Sequence, residues 1–260
     1  MTIAQHLLAV LSGGIVGFSL GLLGGGGSIL AVPLLLYLVG YHDPHVVIGT
    51  TALAVALTAY ANLLPHWRAG NVRWQPALAF AIPGAIGAAV GASIGKLVGG
   101  KQLLALFALL MVIVAITMVR KRADGKLRPE RAGWAMLLRV VPVSLAVGLL
   151  AGFFGIGGGF LIVPGLMFAT GMPMLSAVGS SLVSVGAFGT TTAITYALAD
   201  KVIWLIAVEY FAGGVLGGWM GAWLAIRLGK QKQALTRIFA AVVLAVAVYM
   251  LAMNFSALHL

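Results

Sequence analysis

Cysteine is absent from the 260 residues of this chain, which excludes a disulfide framework, a thiolate nucleophile and any Cys-ligated metal. Charge is nearly as scarce. Asp, Glu, Lys and Arg make up 8% of the residues, where a soluble domain carries roughly 25%, so there is too little polar surface for a water-borne fold. Only five carboxylates face 16 lysines and arginines, and most of them fall between apolar runs. A phosphate-binding P-loop and a paired-histidine metal motif are both missing. The chain therefore hydrolyses no ATP by itself. With few groups for acid–base chemistry, it is expected to be no enzyme and to use no cofactor and no metal.

What fills the chain is hydrocarbon: 62% of the residues are hydrophobic and the mean hydropathy is +1.10. A spanning helix needs ~20 apolar residues, and runs of about that length lie near 76–95, 103–119, 140–154, 176–198, 204–225 and 238–255. Residues 7–64 add two or three more elements. The fold class is an all-α polytopic integral membrane protein, multi-pass in the cell (inner) membrane. Met1 runs almost directly into the first apolar segment, with no separate cleavage region, so that segment is expected to be retained. The net charge of +11 sits in short connections and forms no amphipathic stripe. It reports membrane topology, not a nucleic-acid partner.

Against this background one block stands out. Residues 21–33, Gly-Leu-Leu-Gly-Gly-Gly-Gly-Ser-Ile-Leu-Ala-Val-Pro, return at 152–164 as Gly-Phe-Phe-Gly-Ile-Gly-Gly-Gly-Phe-Leu-Ile-Val-Pro. Glycine is the poorest helix former after proline, and a helix broken at membrane depth is tolerated only when buried in protein or lining a polar cavity. Two matching interrupted segments in two halves of one chain point to a transporter's binding site. The halves align at an offset of 130 or 131 residues: Gly49-Thr50-Thr51 with Gly179-Ser180-Ser181, Val72 and Trp74 with Val202 and Trp204, and Gly84, Gly87 and Gly91 with Gly214, Gly217 and Gly221. This divides the chain into a first transmembrane repeat (1–120), a basic cytoplasmic linker (121–139) and a second transmembrane repeat (140–260). Gly13, Gly14 and Gly17, with the Gly84–Gly95 and Gly213–Gly221 series, have the spacing of close helix–helix contacts.

Loop charge weighs the two orientations of the repeats. If each glycine segment is a single span, the basic residues divide ten against six. If each is a hairpin or re-entrant loop, the repeats invert, and 13 of the 16 fall on the inside, leaving Lys96, Lys101 and Lys201 outside. The inverted arrangement with Gly-broken helices is the expectation.

These blocks, each followed by Val-Pro, with Gly49-Thr50-Thr51, the His-x-x-x-Gly-x-Val-x-Trp spacing from His66 to Trp74 and the echo Gly179-Ser180-Ser181, resemble the TauE/SafE sulfite exporter family, grouped with sulfonate uptake permeases. The resemblance covers essentially the whole chain. It implies a membrane transporter for small sulfur-containing anions such as sulfite, sulfonates or sulfoacetate. The second half departs from the first by carrying Tyr196 where His66 stands, so any role of His66 is asymmetric.

A compact oxyanion needs several hydrogen-bond donors and a positive field. Successive N–H groups of Gly24, Gly25, Gly26 and Gly27 with Ser28, and of Gly155, Gly157, Gly158 and Gly159, can form an anion-binding concavity at a helix start, the alternative being a close-packing hinge. Thr50, Thr51, Ser180 and Ser181 stand where N-cap residues would and are expected either to cap their helices or to face the breaks and add donors to one central site. His66 and Arg68, after Pro65 at a membrane edge, can draw anions to a vestibule, and His66 can carry a proton; topology anchoring beside Trp67 and Trp74 is the alternative. Glu209 is the only carboxylate within an apolar run and is the coupling candidate, unless it snorkels to the interface. Asn62 and Thr190–Thr192 are weaker candidates. His42, Asp43 and His45 read as a solvated loop.

The function expected is a secondary transporter, an exporter by family likeness, working by alternating access at a midplane site between the repeats. An anion or small-solute channel is the alternative, with a membrane-embedded enzyme behind it. The expected partners are a small sulfur-containing anion and the lipid bilayer, with a homodimer admitted and nucleic acid excluded.

Overall fold

The computed structural model describes residues 3–100, 133–155 and 159–228, with scattered positions between 102 and 113 and between 241 and 248. Residues 121–132 of the linker, Gly157, Gly158 and most of the last apolar run lie outside the described residues. Among the described residues the secondary structure is entirely helical, with no strand. The helices are α1 (Ile3–Leu23), α2 (Pro44–Arg68), α3 (Trp74–Gly95), α4 (Trp134–Phe154), α5 (Gly159–Thr170), α6 (Met174–Ala197) and α7 (Trp204–Leu228). Among the described residues six segments are long and apolar enough to span a bilayer: Ile3–Leu38, Pro44–Arg68, Trp74–Gly95, Met136–Phe154, Met174–Ala197 and Trp204–Leu228.

Local chemistry sets the helix ends. Asp43 accepts from the N–H groups of His45 and Val46 at 2.9 and 3.4 Å, and Pro44 follows at the first helical position, so this pair, and not Thr50, opens α2. The corresponding α6 opens after Pro173. Thr50 and Ser180 thus lie two turns inside their helices, a correction to the capping expectation. Helix α4 begins at Trp134, six residues before the apolar run, so Arg139 is helical and not part of a loop. It stops at Gly155, which adopts a left-handed φ of 65° and closes the helix as glycine commonly does.

After α1 the chain tightens into a 3₁₀ helix at Gly24–Leu30, passes through Ala31–Pro33 and widens into a π-helical turn at Leu34–Leu38. Pro33 offers no N–H to the ladder, which accounts for local rearrangement around it. Gly27 lies against Ser19 and Leu20, Tyr210 donates to the Ala31 carbonyl, and Gln5 Nε2 donates to the Val39 carbonyl. Residues 27 to 39 therefore lie alongside α1.

Glycine contacts give the directions of the helices. Gly13 meets Tyr210, Gly17 meets Gly214 and Gly21 meets Gly218, all backbone against backbone, so α1 and α7 run parallel. Gly84 and Gly148 meet, as do Ala88 and Gly152, and Gly91 and Leu149, so α3 and α4 also run parallel. Gly17 and Gly148, like Gly214 and Gly84, are repeat equivalents: the same seam is built twice, each time from the first helix of one half and a later helix of the other. Between the seams α2 and α6 cross antiparallel, with Gly49 against Tyr196, Ala56 against Gly189 and Tyr60 against Gly186. They are the most buried spans, at 67% and 78%. The outer faces are apolar; Ile82, Ile86, Val90 and Ile94 form an exposed stripe on α3 at the four-residue spacing of one helix face, suited to lipid.

Candidate functional site

Two hydrogen bonds tie the halves together in matching fashion. The Thr50 hydroxyl accepts from the Ile203 N–H at 3.0 Å, and the Ser180 hydroxyl accepts from the Arg73 N–H at 2.8 Å. Gly49 packs on the Lys201 carbonyl and Gly179 on the Asn71 carbonyl. Each Gly-hydroxyl pair of one half therefore holds the loop that leads into α3 or α7 of the other, and the two pairs sit at opposite ends of the antiparallel α2–α6 pair.

The glycine breaks follow the same division. Gly24, with φ of +61°, packs on Ser181 and Val178, and the Gly25 N–H donates to Ser181 Oγ at 3.0 Å. Gly155 packs on Ile48 of α2. Ser181 stands level with the C-terminal end of α2 and Ile48 near its start, so the breaks are roughly 25 Å apart at about 1.5 Å per residue. The sequence candidates are not gathered into one central site. Each break is instead paired with the central helix of the opposite half.

The first cluster is closed off from solvent. Gly24, Gly25, Gly26, Gly27 and Ser28 are buried, Ser28 Oγ donates to the Gly25 carbonyl at 2.9 Å, and Ser181 Oγ donates to the Val178 carbonyl at 2.7 Å while accepting from Gly25. His66 belongs here as well. The sequence suggested a loop at the membrane edge, but Pro65 is accommodated in the last turn of α2 and His66 is 0% exposed; its Nε2 donates to the Gly21 carbonyl at 2.8 Å. One turn earlier Asn62, also 0% exposed, donates through Nδ2 to the Gly17 carbonyl at 3.3 Å and lies against Gly218. Thr58 continues the row against Gly214. Spacing of four residues puts Thr58, Asn62 and His66 on one face of α2, a polar row in an apolar helix that was visible in the sequence and underweighted there. Arg68 is exposed beyond it.

At the second cluster Thr51 Oγ1 donates to the Val47 and Ile48 carbonyls at 2.8 and 3.2 Å. Gly159 opens α5. Tyr196 and Thr192, the repeat equivalents of His66 and Asn62, are buried with their hydroxyls unpaired by protein.

Glu209 has a partner the sequence reading missed: His6 Nδ1 donates to its Oε1 at 2.6 Å, from the first turn of α1 to the second turn of α7. Asp43 pairs with Lys201 at 3.2 Å. Partial burial pushes the Asp43 carboxyl up, but the Lys201 ammonium and the N–H groups of His45 and Val46 outweigh it, and the group titrates below the usual carboxylate range. His45 stacks on Tyr196 with ring centroids 6.2 Å apart. Among the described residues no group of three or more His, Asp or Glu is arranged to hold a metal ion.

Comparison with known proteins adds the family. The profile of the sulfite exporter TauE/SafE family matches residues 9–250. A probable membrane transporter protein of Xylella fastidiosa is 49% identical over 252 residues, covering 96% of this chain and 97% of that protein. One of Bacillus subtilis is 26% identical over 90% of this chain and 93% of its own length, and one of Methanocaldococcus jannaschii is 27% identical over 75% of each. No solved structure matches. With a family profile spanning nearly its whole length and six helices fit to cross a bilayer, the chain belongs to the sulfite exporter TauE/SafE family of multi-pass membrane transporters.

Proposed function

We propose that this protein is a secondary transporter that exports small sulfur-containing anions such as sulfite, sulfonates or sulfoacetate, by alternating access of two inverted repeats. The observation that carries the reading is the bond from the Gly25 N–H to Ser181 Oγ, where a broken helix of one half meets the central helix of the other. An oxyanion that takes the place of the Ser181 oxygen receives the Gly25 N–H, and the Ser181 O–H becomes a second donor by turning away from the Val178 carbonyl. Gly24, Gly26, Gly27 and Ser28 complete the cradle on one side, and Gly155 and Gly159 with Thr51 supply its counterpart at the other end. Thr50 and Ser180 hold the loops over the two clusters, and Arg68 supplies an attractive field at the entrance.

Inversion is supported by direction. Repeat equivalents α2 and α6 run antiparallel, while α1, α2 and α7 run alike, as the Asn62–Gly17 and His66–Gly21 bonds require. Arg68, Arg73, Arg139 and Arg227 then share one side and Lys96 and Lys201 the other, in keeping with a positive cytoplasmic face. The position of residues 27 to 39 alongside α1 supports a hairpin or re-entrant form for the first break. Export by proton coupling needs a titratable group within the spans; Glu209, bonded to His6, and the fully buried His66 are candidates, while His45 lies at the start of α2.

The test is counterflow of radiolabelled sulfite in proteoliposomes. Wild-type protein exchanges sulfite against its gradient, which a channel does not, and Ser181→Ala weakens apparent affinity roughly tenfold, the scale of one hydrogen bond to a charged group. Absence of exchange and of thermal stabilisation across sulfite, sulfonates and thiosulfate would overturn the substrate class.

A further inference from the structure

The α1–α7 seam holds two polar atoms whose chemistry is fixed by what their neighbours accept. Gly21 O and Gly17 O can only accept hydrogen bonds, so His66 Nε2 carries the hydrogen that reaches Gly21, and the Asn62 side chain presents its NH₂ to Gly17. This leaves His66 Nδ1 and Asn62 Oδ1 as lone-pair acceptors. Both are fully buried and neither has a protein partner, an arrangement that costs free energy unless something donates to them. Two unpartnered acceptors one helical turn apart on the same face of α2 suit a proton, and they do not suit an anion.

We infer that His66, with Asn62 beside it, is a proton-binding site coupled to the anion held at the neighbouring glycine break. The inference rests on the transport reading and adds the coupling ion and its seat. A proton taken from solvent adds to the Nδ1 lone pair, giving an imidazolium that still donates through Nε2 to Gly21; no other bond changes. Asn62 Oδ1 then accepts from the new N–H, directly or through one water. Among the described residues, the charge so created stands in a seam without counter-ions. Residues 13–23 of α1, 24–36, 174–190 of α6 and 213–226 of α7 include no titratable side chain, and the nearest charges in sequence, Arg68 and Arg227, are cationic. An anion at Gly25 and Ser181 is the missing partner, four residues along the chain from Gly21. Proton and anion therefore favour each other's binding by the same factor. The second half holds Tyr196 and Thr192 at these positions, so one proton site serves two pseudo-equivalent clusters. Glu209 is already paired with His6 near the opposite end of the seam.

Proton uptake on binding ethanesulfonate tests this, because that anion does not titrate near neutral pH. Full-length protein in detergent is mixed with ethanesulfonate in weak buffer containing a pH dye, alongside His66→Gln. The expected result is uptake approaching one proton per anion bound by the wild type and none by His66→Gln. Equal uptake by both overturns the inference while leaving the transport reading in place. Should His66→Gln not fold, Asn62→Leu keeps the imidazole and removes its acceptor; it is expected to move the pH midpoint of ethanesulfonate binding down by about one unit, a tenfold loss in proton affinity, and an unmoved midpoint overturns the inference. Should the wild type bind no anion, the substrate class fails separately, and ¹⁵N-histidine NMR decides the proton site: a His66 Nδ1 signal that titrates between about pH 5 and 8 supports it, and one that stays constant overturns it.

Discussion

At the scale of single residues, Gly24 carries two constraints at once. Its φ is +61°, and a Cβ there would press on Ser181 Oγ and Val178 O. A left-handed backbone costs an L-residue about 1–2 kcal/mol, so Gly24→Ala is expected to lower thermal stability and to weaken anion binding together, read by a melting curve with and without sulfite. Gly40, also at positive φ, meets nothing within 4 Å; Gly40→Ala pays the backbone cost alone and leaves the ligand-induced shift intact. The contrast separates a glycine needed for a turn from one needed for close approach. The His6–Glu209 pair makes a second residue-scale case. Removing one member of a partly buried hydrogen-bonded pair leaves the other's polar group without its partner, so His6→Ala is expected to destabilise more than the double variant His6→Ala/Glu209→Ala, a comparison that a thermal-shift series settles.

At the scale of elements, the start of α2 shows a helix end tied to another loop. Asp43 caps the helix through the His45 and Val46 N–H groups and also holds Lys201, two residues before Ile203, whose N–H binds Thr50. Because the folded carboxyl titrates below its unfolded value, its contribution is present in full above about pH 4 and is lost as pH falls through the lower, folded value. Asp43→Ala is expected to cost about 1 kcal/mol near neutral pH, with the difference from wild type closing as the medium is acidified. A difference that grows on acidification contradicts the assignment. Thr50→Val and Ser180→Ala remove the matching loop contacts, and each is expected to loosen the loop that its hydroxyl holds, seen as faster amide exchange at Ile203 or Arg73.

For the molecule as a whole, the absence of cysteine is an experimental advantage, since any introduced thiol is unique. Under the inverted topology, thiols at Ala69 and Gly133 label from one side of the membrane and thiols at Leu97 and Ala199 from the other. An impermeant maleimide that reaches all four from the same side excludes the arrangement.

Much of this was legible in the sequence. The apolar runs near 76–95, 140–154, 176–198 and 204–225 located the corresponding spans within a few residues, because a bilayer imposes length and composition on any helix that crosses it; the runs near 103–119 and 238–255 lie largely outside the described residues. The repeat and the glycine series were legible for the same reason: backbone contact between helices admits little besides glycine, and Gly17, Gly21, Gly84 and Gly148 mark such contacts. Thr50 and Ser180 were harder. Their spacing suggested caps, but Asp43-Pro44 outcompetes them locally, and the groups they bind lie 153 and 107 residues away in the chain, a separation no local pattern encodes. His66 was misjudged because Pro65 reads as a helix end, whereas in the last turn its missing N–H costs little, and packing against Gly21 carries the helix through.

Composition and pattern alone therefore determined that this chain lives in a membrane and that glycine blocks recur at matching places in its two halves. Only the tertiary structure decided which groups meet. The antiparallel crossing of α2 and α6 sends equivalent residues to opposite ends, so sequence symmetry becomes two separate clusters, and the parallel α1–α7 seam turns a row of polar residues on α2 into a buried site. Spacing along a chain fixes which face of a helix a residue occupies, while the direction and depth at which helices pack fix what that face touches.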